Sequence, residues 1–355
     1  MKALITAGGR GTRLRPITYT INKHLIPLAG KPMIFHAIEK VAFAGIKEIV
    51  INTNEGDTEI KTAVGDGSRW GVTITFFEQK GGARGLADVV RQAQTYLGKE
   101  PFVFYLGDNI VLNSIGAFIE EFETKKLNCL LALSKVPDPT HFGVPVIEGD
   151  RIVKVIEKPT NPVSPYAVTG IYLYDHHIFD AVADLKPSSR GEYEISDAHT
   201  WLIEHGFNVG FREITGWWKD TGRAEDLLEA NRLLLSSLKT HIAGDIGKNV
   251  SLQGPVVLGN GTIVDGRSLI RGPVIVGENC VIRDSYIGPF TSVGNRVELY
   301  NAEVEQSLVF DDADIHVPSR IVDSIIGANA TIIPAHSTLP SGHKLLIGSN
   351  SLVEL

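Results

Sequence analysis

An apolar run, Lys2–Ala7, passes directly into Gly8-Gly9-Arg10-Gly11-Thr12-Arg13-Leu14-Arg15-Pro16, with Lys23 a short distance beyond. Glycines let backbone N–H groups come close to a ligand, and arginines bring delocalised positive charge with forked donors. A turn of that composition after a first strand suits a polyphosphate. It is not a Walker loop, because the Gly-Lys-Ser/Thr ending is absent. The dinucleotide fingerprint fails as well, since Leu14 stands where its third glycine belongs. Three more stretches carry candidate chemistry. Asp108 follows Phe102–Leu106 and Gly107, where a carboxylate at a strand's end suits Mg²⁺ against a triphosphate; a turn-forming Asp before Asn109 is the plainer reading. Glu157-Lys158-Pro159 closes another strand, and Lys158 reads either as a point charge for a second phosphate or as a solvated lysine. In Trp217-Trp218-Lys219-Asp220-Thr221-Gly222, Asp220 either opens the next helix or completes a metal site with Asp108.

Composition narrows the field. The chain has 355 residues, 43 % of them hydrophobic, enough for a sizeable core and two domains. Its formal net charge of −7 argues against a general nucleic-acid or anionic-membrane binder, so Arg10, Arg13, Arg15 and Lys23 serve a local anion. Cys129 and Cys280 lie far apart and read as buried small hydrophobes, neither a disulfide nor a metal pair. A strand begins at once and no apolar run approaches a membrane span, so the expectation is a cytoplasmic, soluble protein.

The elements that must hold these residues alternate in type. Lys2–Ala7, Glu48–Asn52, Val72–Phe77 and Phe102–Leu106 read as strands. Pro32–Ala44, Gly85–Leu97 and Ser114–Lys125 read as helices between them, the first with Pro32 near its start and Gly45 as its stop. That alternation predicts an α/β, Rossmann-like domain around a mostly parallel sheet, with ligands beyond the carboxyl ends of the strands. A more β-rich stretch follows (Val144–Glu148, Ile152–Glu157, Ala167–Tyr174), then helices near Glu194–His205 and Arg223–Leu238.

After Gly244 the pattern changes. Ile246, Leu252, Leu258, Val264, Ile270, Val276 and Ile282 recur every six residues; the register slips by one and resumes at Ile287, Val293 and Leu299. An aliphatic anchor every sixth residue is the hexapeptide signature of a parallel β-helix, three hexapeptides to a coil. Ser268, Ser285, Ser307 and Ser324 fall 17, 22 and 17 residues apart, close to that coil length. The expected domains are 1–240, carrying the chemistry, and 241–355, a left-handed β-helix with a C-terminal tail.

In this order, the motifs resemble the sugar-1-phosphate nucleotidyltransferases, most closely the long form of glucose-1-phosphate thymidylyltransferase. The resemblance covers nearly the whole chain and adds Tyr166-Ala167-Val168-Thr169-Gly170 and Glu225-Asp226-Leu227-Leu228-Glu229-Ala230-Asn231-Arg232 to the stretches above. It implies that Ala7, Gly8, Gly9, Gly11 and Thr12 wrap a nucleotide while Arg13 and Lys23 neutralise its phosphates. It implies Mg²⁺ on Asp108 and Asp220, the sugar phosphate on Lys158, and a sugar pocket lined by Gly143, Glu157, Val168 and Gly170. Gln79 corresponds to the glutamine that reads a pyrimidine edge, with Gly85-Leu86 against the base. An amide donates and accepts at once, which suits N3–H and O4 of thymine or uracil. The implied reaction is in-line attack of glucose 1-phosphate on the α-phosphorus of dTTP or UTP, giving dTDP-glucose and pyrophosphate. Separately, the flat faces of a continuous parallel coil suit subunit contacts, so a homo-oligomer is expected.

The chain departs from the family pattern in three places. Gln79 is six residues from Gly85 where five is usual, Asp88 replaces a glutamine or histidine, and Asn22 replaces a proline before Lys23. Two other readings compete. One is a UDP-sugar or N-acetylamino-sugar pyrophosphorylase whose β-helix also transfers acyl groups, with His316, His336 or His343 as the base. The other is a non-catalytic subunit that binds nucleotide sugars, which is expected to have lost metal or phosphate ligands; Arg13, Lys23, Asp108, Lys158 and Asp220 are all kept.

Overall fold

The structure, a computed structural model, describes residues 1–9, 11–334 and 347–354. In chain order it forms β1 (Lys2–Thr6), β2 (Pro27–Leu28), β3 (Lys31–Pro32), α1 (Met33–Phe43), β4 (Glu48–Asn54), α2 (Glu59–Val64), β5 (Thr73–Gln79), α3 (Leu86–Leu97), β6 (Phe102–Leu106) and β7 (Asn109–Val111). There follow α4 (Gly116–Thr124), β8 (Cys129–Lys135), β9 (Gly143–Glu148), β10 (Arg151–Glu157), β11 (Tyr166–Tyr174), α5 (Ile178–Asp184), α6 (Ile195–Glu204), β12 (Val209–Glu213), β13 (Trp218–Asp220) and α7 (Ala224–Leu235).

Contacts divide the chain into two compact units, Met1–Arg10 with Met33–Asp220, and Gly11–Pro32 with Thr221–Leu355. This differs from a border at 240/241, because residues 11–32 and 221–240 group with the coil. Asn231 on α7 supplies a physical reason. Its buried side-chain oxygen accepts from the Ala29 N–H (2.9 Å) and the Ser292 hydroxyl (2.8 Å), and its amide donates to the Phe290 carbonyl (3.0 Å). A buried amide satisfied by three segments holds them as one body.

The first unit is built on a nine-stranded sheet whose main path runs β10-β9-β11-β6-β1-β4-β5, with β8 joined to β11 and β12 beyond it. β6, β1, β4 and β5 run parallel to one another. β11 runs antiparallel to β6, β8 and β9. β1 and β6 are buried along most of their length, as expected of strands covered on both faces. Apolar residues of α3, α5 and α6, including Val90, Phe179 and Leu202, share one core with the sheet. Cys129 lies in that core as a fully buried small hydrophobe.

In the second unit, the segment 241–332 winds into three parallel sheets of six, six and five strands, a left-handed β-helix. Ser251 pairs with Leu269, Leu269 with Tyr286 and Tyr286 with Glu303, so the coil advances by 18 residues and then by 17 and 17. The shorter coil is the structural form of the slip in the six-residue pattern. Anchors from Leu258 to Leu299 are buried, whereas Ile246 in the first coil is 42 % exposed. Ser268 and Ser285 form a ladder at one corner: each hydroxyl accepts from an N–H of the next coil, Ser285 and Ala302, both at 3.2 Å. Asp284 and Asn301 at that same corner, and Asn329 at another, adopt positive φ, a conformation that Asn and Asp tolerate best among residues with a Cβ. No helix among the described residues is long and apolar enough to cross a membrane.

Candidate active site

The two predicted metal carboxylates are neighbours on a small ribbon. β13 pairs antiparallel with β7, opposing Asp220 to Asn109, and Asp108 directly precedes Asn109 in the turn after β6. The ribbon is fixed by Asn109, which is buried. Its amide donates to Asp108 Oδ1 (2.9 Å), and its Oδ1 accepts from the Trp218 indole (2.6 Å) and the Gly170 N–H (3.1 Å). The Tyr105 hydroxyl donates to the Asn109 carbonyl (3.1 Å). Gly170 has no side chain for a local reason: a Cβ there would lie 2.7 Å from Asn109. Burial pushes the Tyr172 hydroxyl well above the usual phenol range, and the charges of Glu157, Asp108 and Asp220 add to the shift. Tyr172 therefore stays protonated at neutral pH.

The sugar-side residues lie in one row. Gly143 pairs with Glu157 across β9 and β10 and with Val168 across β9 and β11. Glu157 accepts from the Ser196 hydroxyl of α6 (2.6 Å), and a Cβ on Gly143 would press against that hydroxyl at 2.8 Å. Two cations converge on Glu157 Oε1, Lys158 Nζ at 3.7 Å and Arg190 at 3.6 Å. Arg190 is held in turn by a two-point contact with Glu194 (2.7 and 3.1 Å). Lys158 is exposed and has φ +44°, a left-handed conformation that costs a residue with a Cβ. Arg190 also lies 3.7 Å from Glu192.

Gln79 ends β5 and is buried, and its Nε2 donates to Asp88 on α3 (3.1 Å). Between them, Gly81, Gly82 and Gly85 all have positive φ. A Cβ on Gly85 would collide with the backbone of Tyr193, which accepts from Ala87 N–H and donates to the Arg84 carbonyl. Ala7 and Gly8, at the end of β1, face β4: the Ala7 N–H donates to the Asn52 carbonyl (2.8 Å), and a Cβ on Gly8 would meet Asn52 Oδ1 at 3.0 Å. Gly9 is exposed. All of these residues, with Asp108, Asp220, Glu157 and Lys158, lie in the first unit.

Gly11, Thr12, Arg13 and Lys23 lie in the second unit. Gly11 takes φ +57°, and a Cβ there would meet Thr18 at 2.9 Å and Lys23 at 3.1 Å. Its carbonyl accepts from the Thr18 hydroxyl (2.7 Å) and the Leu14 N–H (2.9 Å), closing a tight turn. Thr12 and Arg13 are exposed, and the Arg13 guanidinium lies over Gly222, where a Cβ would meet it at 3.2 Å. Lys23 is buried, in a turn capped by Asn22, whose side chain accepts from the His24 N–H (3.0 Å).

A family model described as nucleotidyl transferase matches residues 2–237. The chain belongs to the nucleotidyl transferase family. It is 40 % identical to a glucose-1-phosphate thymidylyltransferase of Streptomyces antibioticus, covering all of this chain and 99 % of the relative. Identity is 39 % with the low-salt glycan biosynthesis nucleotidyltransferase Agl11 of Haloferax volcanii, over the full length of both. Among solved structures, a Bacillus anthracis protein described as a glucose-1-phosphate thymidylyltransferase, in complex with a sucrose, superimposes with a TM-score of 0.62 at 41 % identity. The match covers 66 % of this chain and 94 % of that one.

Three residues of this nucleotidyl transferase carry site geometry that the sequence reading passed over. Asn109 was visible only as a turn residue, since Trp218 and Gly170 reach it from far along the chain. Arg190 opens the charged run Arg190-Gly191-Glu192-Tyr193-Glu194 just before α6, a signal that a search for cations near helix starts picks up. Asp88 stood out as a departure from pattern, without its bond to Gln79. Of the histidines named for acyl transfer, His316 lies 2.8 Å from Asp314, and His336 and His343 fall outside the described residues.

Proposed function

We propose that this nucleotidyl transferase joins dTTP to glucose 1-phosphate, releasing pyrophosphate and forming dTDP-glucose, with UTP as a poorer donor. The observation that supports the reading is the β7–β13 ribbon, on which Asp220 pairs with Asn109, the residue after Asp108. The full-length likeness to thymidylyltransferases of glucose 1-phosphate supports the substrates. Two carboxylates are a donor set for a hard divalent cation, and Mg²⁺ on Asp108 and Asp220 fits them. When bound, Mg²⁺ neutralises charge on the phosphate oxygens.

The residues' work is neutralisation and alignment. Lys158 and Arg190 hold the sugar phosphate, and Glu157, Gly143, Val168 and Gly170 form its sugar pocket. Ala7, Gly8, Gly9, Gly11 and Thr12 hold the nucleotide, Arg13 and Lys23 counter its triphosphate, and Gln79 with Gly85 meets its base. An oxygen of the sugar phosphate bonds to the α-phosphorus, and the bond from that phosphorus to the bridging oxygen breaks, expelling pyrophosphate. No protein nucleophile is needed, because the attacking phosphate is ionised at neutral pH. The 241–332 coil serves assembly, as flat parallel faces suit contacts in a homo-oligomer. A nucleoside triphosphate substrate fits a cytoplasmic reaction.

The test is pyrophosphate release with glucose 1-phosphate against dTTP, UTP, dCTP, GTP and ATP, with and without Mg²⁺. Preference for GTP or ATP over both dTTP and UTP, or undiminished turnover without a divalent cation, defeats the reading. Acetyl-CoA consumption with an amino-sugar phosphate in the same preparations tests the acyl-transfer alternative.

A further inference from the structure

Gln79 has a fixed amide. Its Nε2 donates to Asp88 Oδ2 (3.1 Å), and among the described residues no donor reaches its Oε1. Asp88 is fully buried, and its Oδ1 is paired with the guanidinium of Arg91. Oδ2 also accepts from Gln92 Nε2 (2.7 Å). The Gln92 amide is itself locked by Lys80, accepting from its N–H (2.9 Å) and donating to its carbonyl (3.1 Å). Every group around Asp88 is thus a donor, and a carboxylate paired to a guanidinium only accepts. Turning the Gln79 amide over would set its oxygen against a buried carboxylate oxygen, a costly pairing of two acceptors.

We propose that Asp88 sets the enzyme's pyrimidine selectivity by holding Gln79 with its oxygen, and the N–H beside it, facing the base. This rests on the thymidylyl-transfer reading above. An amide held so presents acceptor then donor, the complement of N3–H and O4 in thymine or uracil. Cytosine carries the reverse pattern at that edge, N3 as acceptor and the 4-amino group as donor, and needs the amide turned over. Asp88 forbids the turn, so selectivity comes from a repulsion against the wrong base as well as an attraction to the right one. Asp88 is a positioning residue; it acts through Gln79.

The experiment compares kcat/KM for dTTP and dCTP, at saturating glucose 1-phosphate, in the native enzyme, Asp88→Asn, Asp88→Ser and Gln92→Ala. Asn and Ser can donate as well as accept, so either lets Gln79 turn over. In a folded variant the dTTP:dCTP ratio is expected to fall at least about tenfold while KM for glucose 1-phosphate stays put. Gln92→Ala, which leaves the Asp88–Gln79 bond, is expected to keep the native ratio. An unchanged ratio in folded Asp88→Asn or Asp88→Ser overturns the inference and leaves thymidylyl transfer standing. A ratio that falls equally in Gln92→Ala also overturns it, because general loosening of α3 then explains the change. A native enzyme that prefers dCTP or a purine nucleotide overturns both.

Discussion

Asp108 is held on one oxygen by Asn109, so its charge is oriented before any ligand arrives. Asp108→Asn keeps the shape and loses the charge. Turnover is expected to fall roughly 10²–10³-fold, the usual cost of a preorganised electrostatic contact. Thermal melting should stay near native, and steady-state rates together with a melting curve check both halves. Lys158 offers a cleaner separation of function from stability. A residue with a Cβ at φ +44° is strained by about 1 kcal/mol, and glycine relieves that strain at a similar entropic cost. Lys158→Gly is therefore expected to melt within a few degrees of native. Its KM for glucose 1-phosphate should rise well above that for dTTP, because only one of the two anions loses its cation. Equal rises would assign Lys158 to both substrates.

At the scale of elements, α6 and β11 share a buried polar contact. His199 on α6 is fully buried with Nε2 2.6 Å from the Tyr174 hydroxyl, and Nδ1 has no partner among the described residues. Burial holds its pKa down to about 3, against 6.5 for a free histidine. The native state thus stays neutral at this residue while an unfolded chain takes up a proton below pH 6.5. The contribution to stability is complete above pH 6.5 and is lost as pH falls toward 3, at most about 1.4 kcal/mol per pH unit. His199→Gln is expected to flatten that part of the urea-unfolding profile between pH 7 and 4.5, and parallel native and variant profiles would remove His199 as the cause. The same element carries Ser196, which positions Glu157 at 2.6 Å. Much of this was legible in advance: α6, β11 and the strands around them follow from periodicity. β8, β12 and β13 were not read as strands, because their partners lie far away in sequence and their short runs carry no period of their own.

For the whole molecule, the coil's stability rests on stacked aliphatic anchors. Ile282 is fully buried at the centre of the coil's core. Ile282→Ala is expected to cost about 2–5 kcal/mol, the range for emptying a packed aliphatic site. If the coil serves assembly alone, KM for both substrates holds at its native value in the folded fraction while the unfolding midpoint drops. Denaturant titration, light scattering and saturation kinetics on one preparation decide this. A changed KM at unchanged mass would give the coil a part in substrate binding.

Two features of this chain are local enough for sequence to determine. One is the six-residue anchor pattern, which forces a coil because each turn repeats the same burial; even its one-residue slip reappears as 17-residue coils. The other is the glycine-rich turn after β1, where Gly11 takes the φ of +57° that a glycine permits. Tertiary structure alone decided how residues on separate elements meet. Trp218 and Gly170 converge on Asn109, Arg190 and Lys158 share Glu157, and Asn231 ties α7 to the coil. Those contacts depend on strand order and on which buried polar groups satisfy one another, and neither is encoded in the spacing of any single segment.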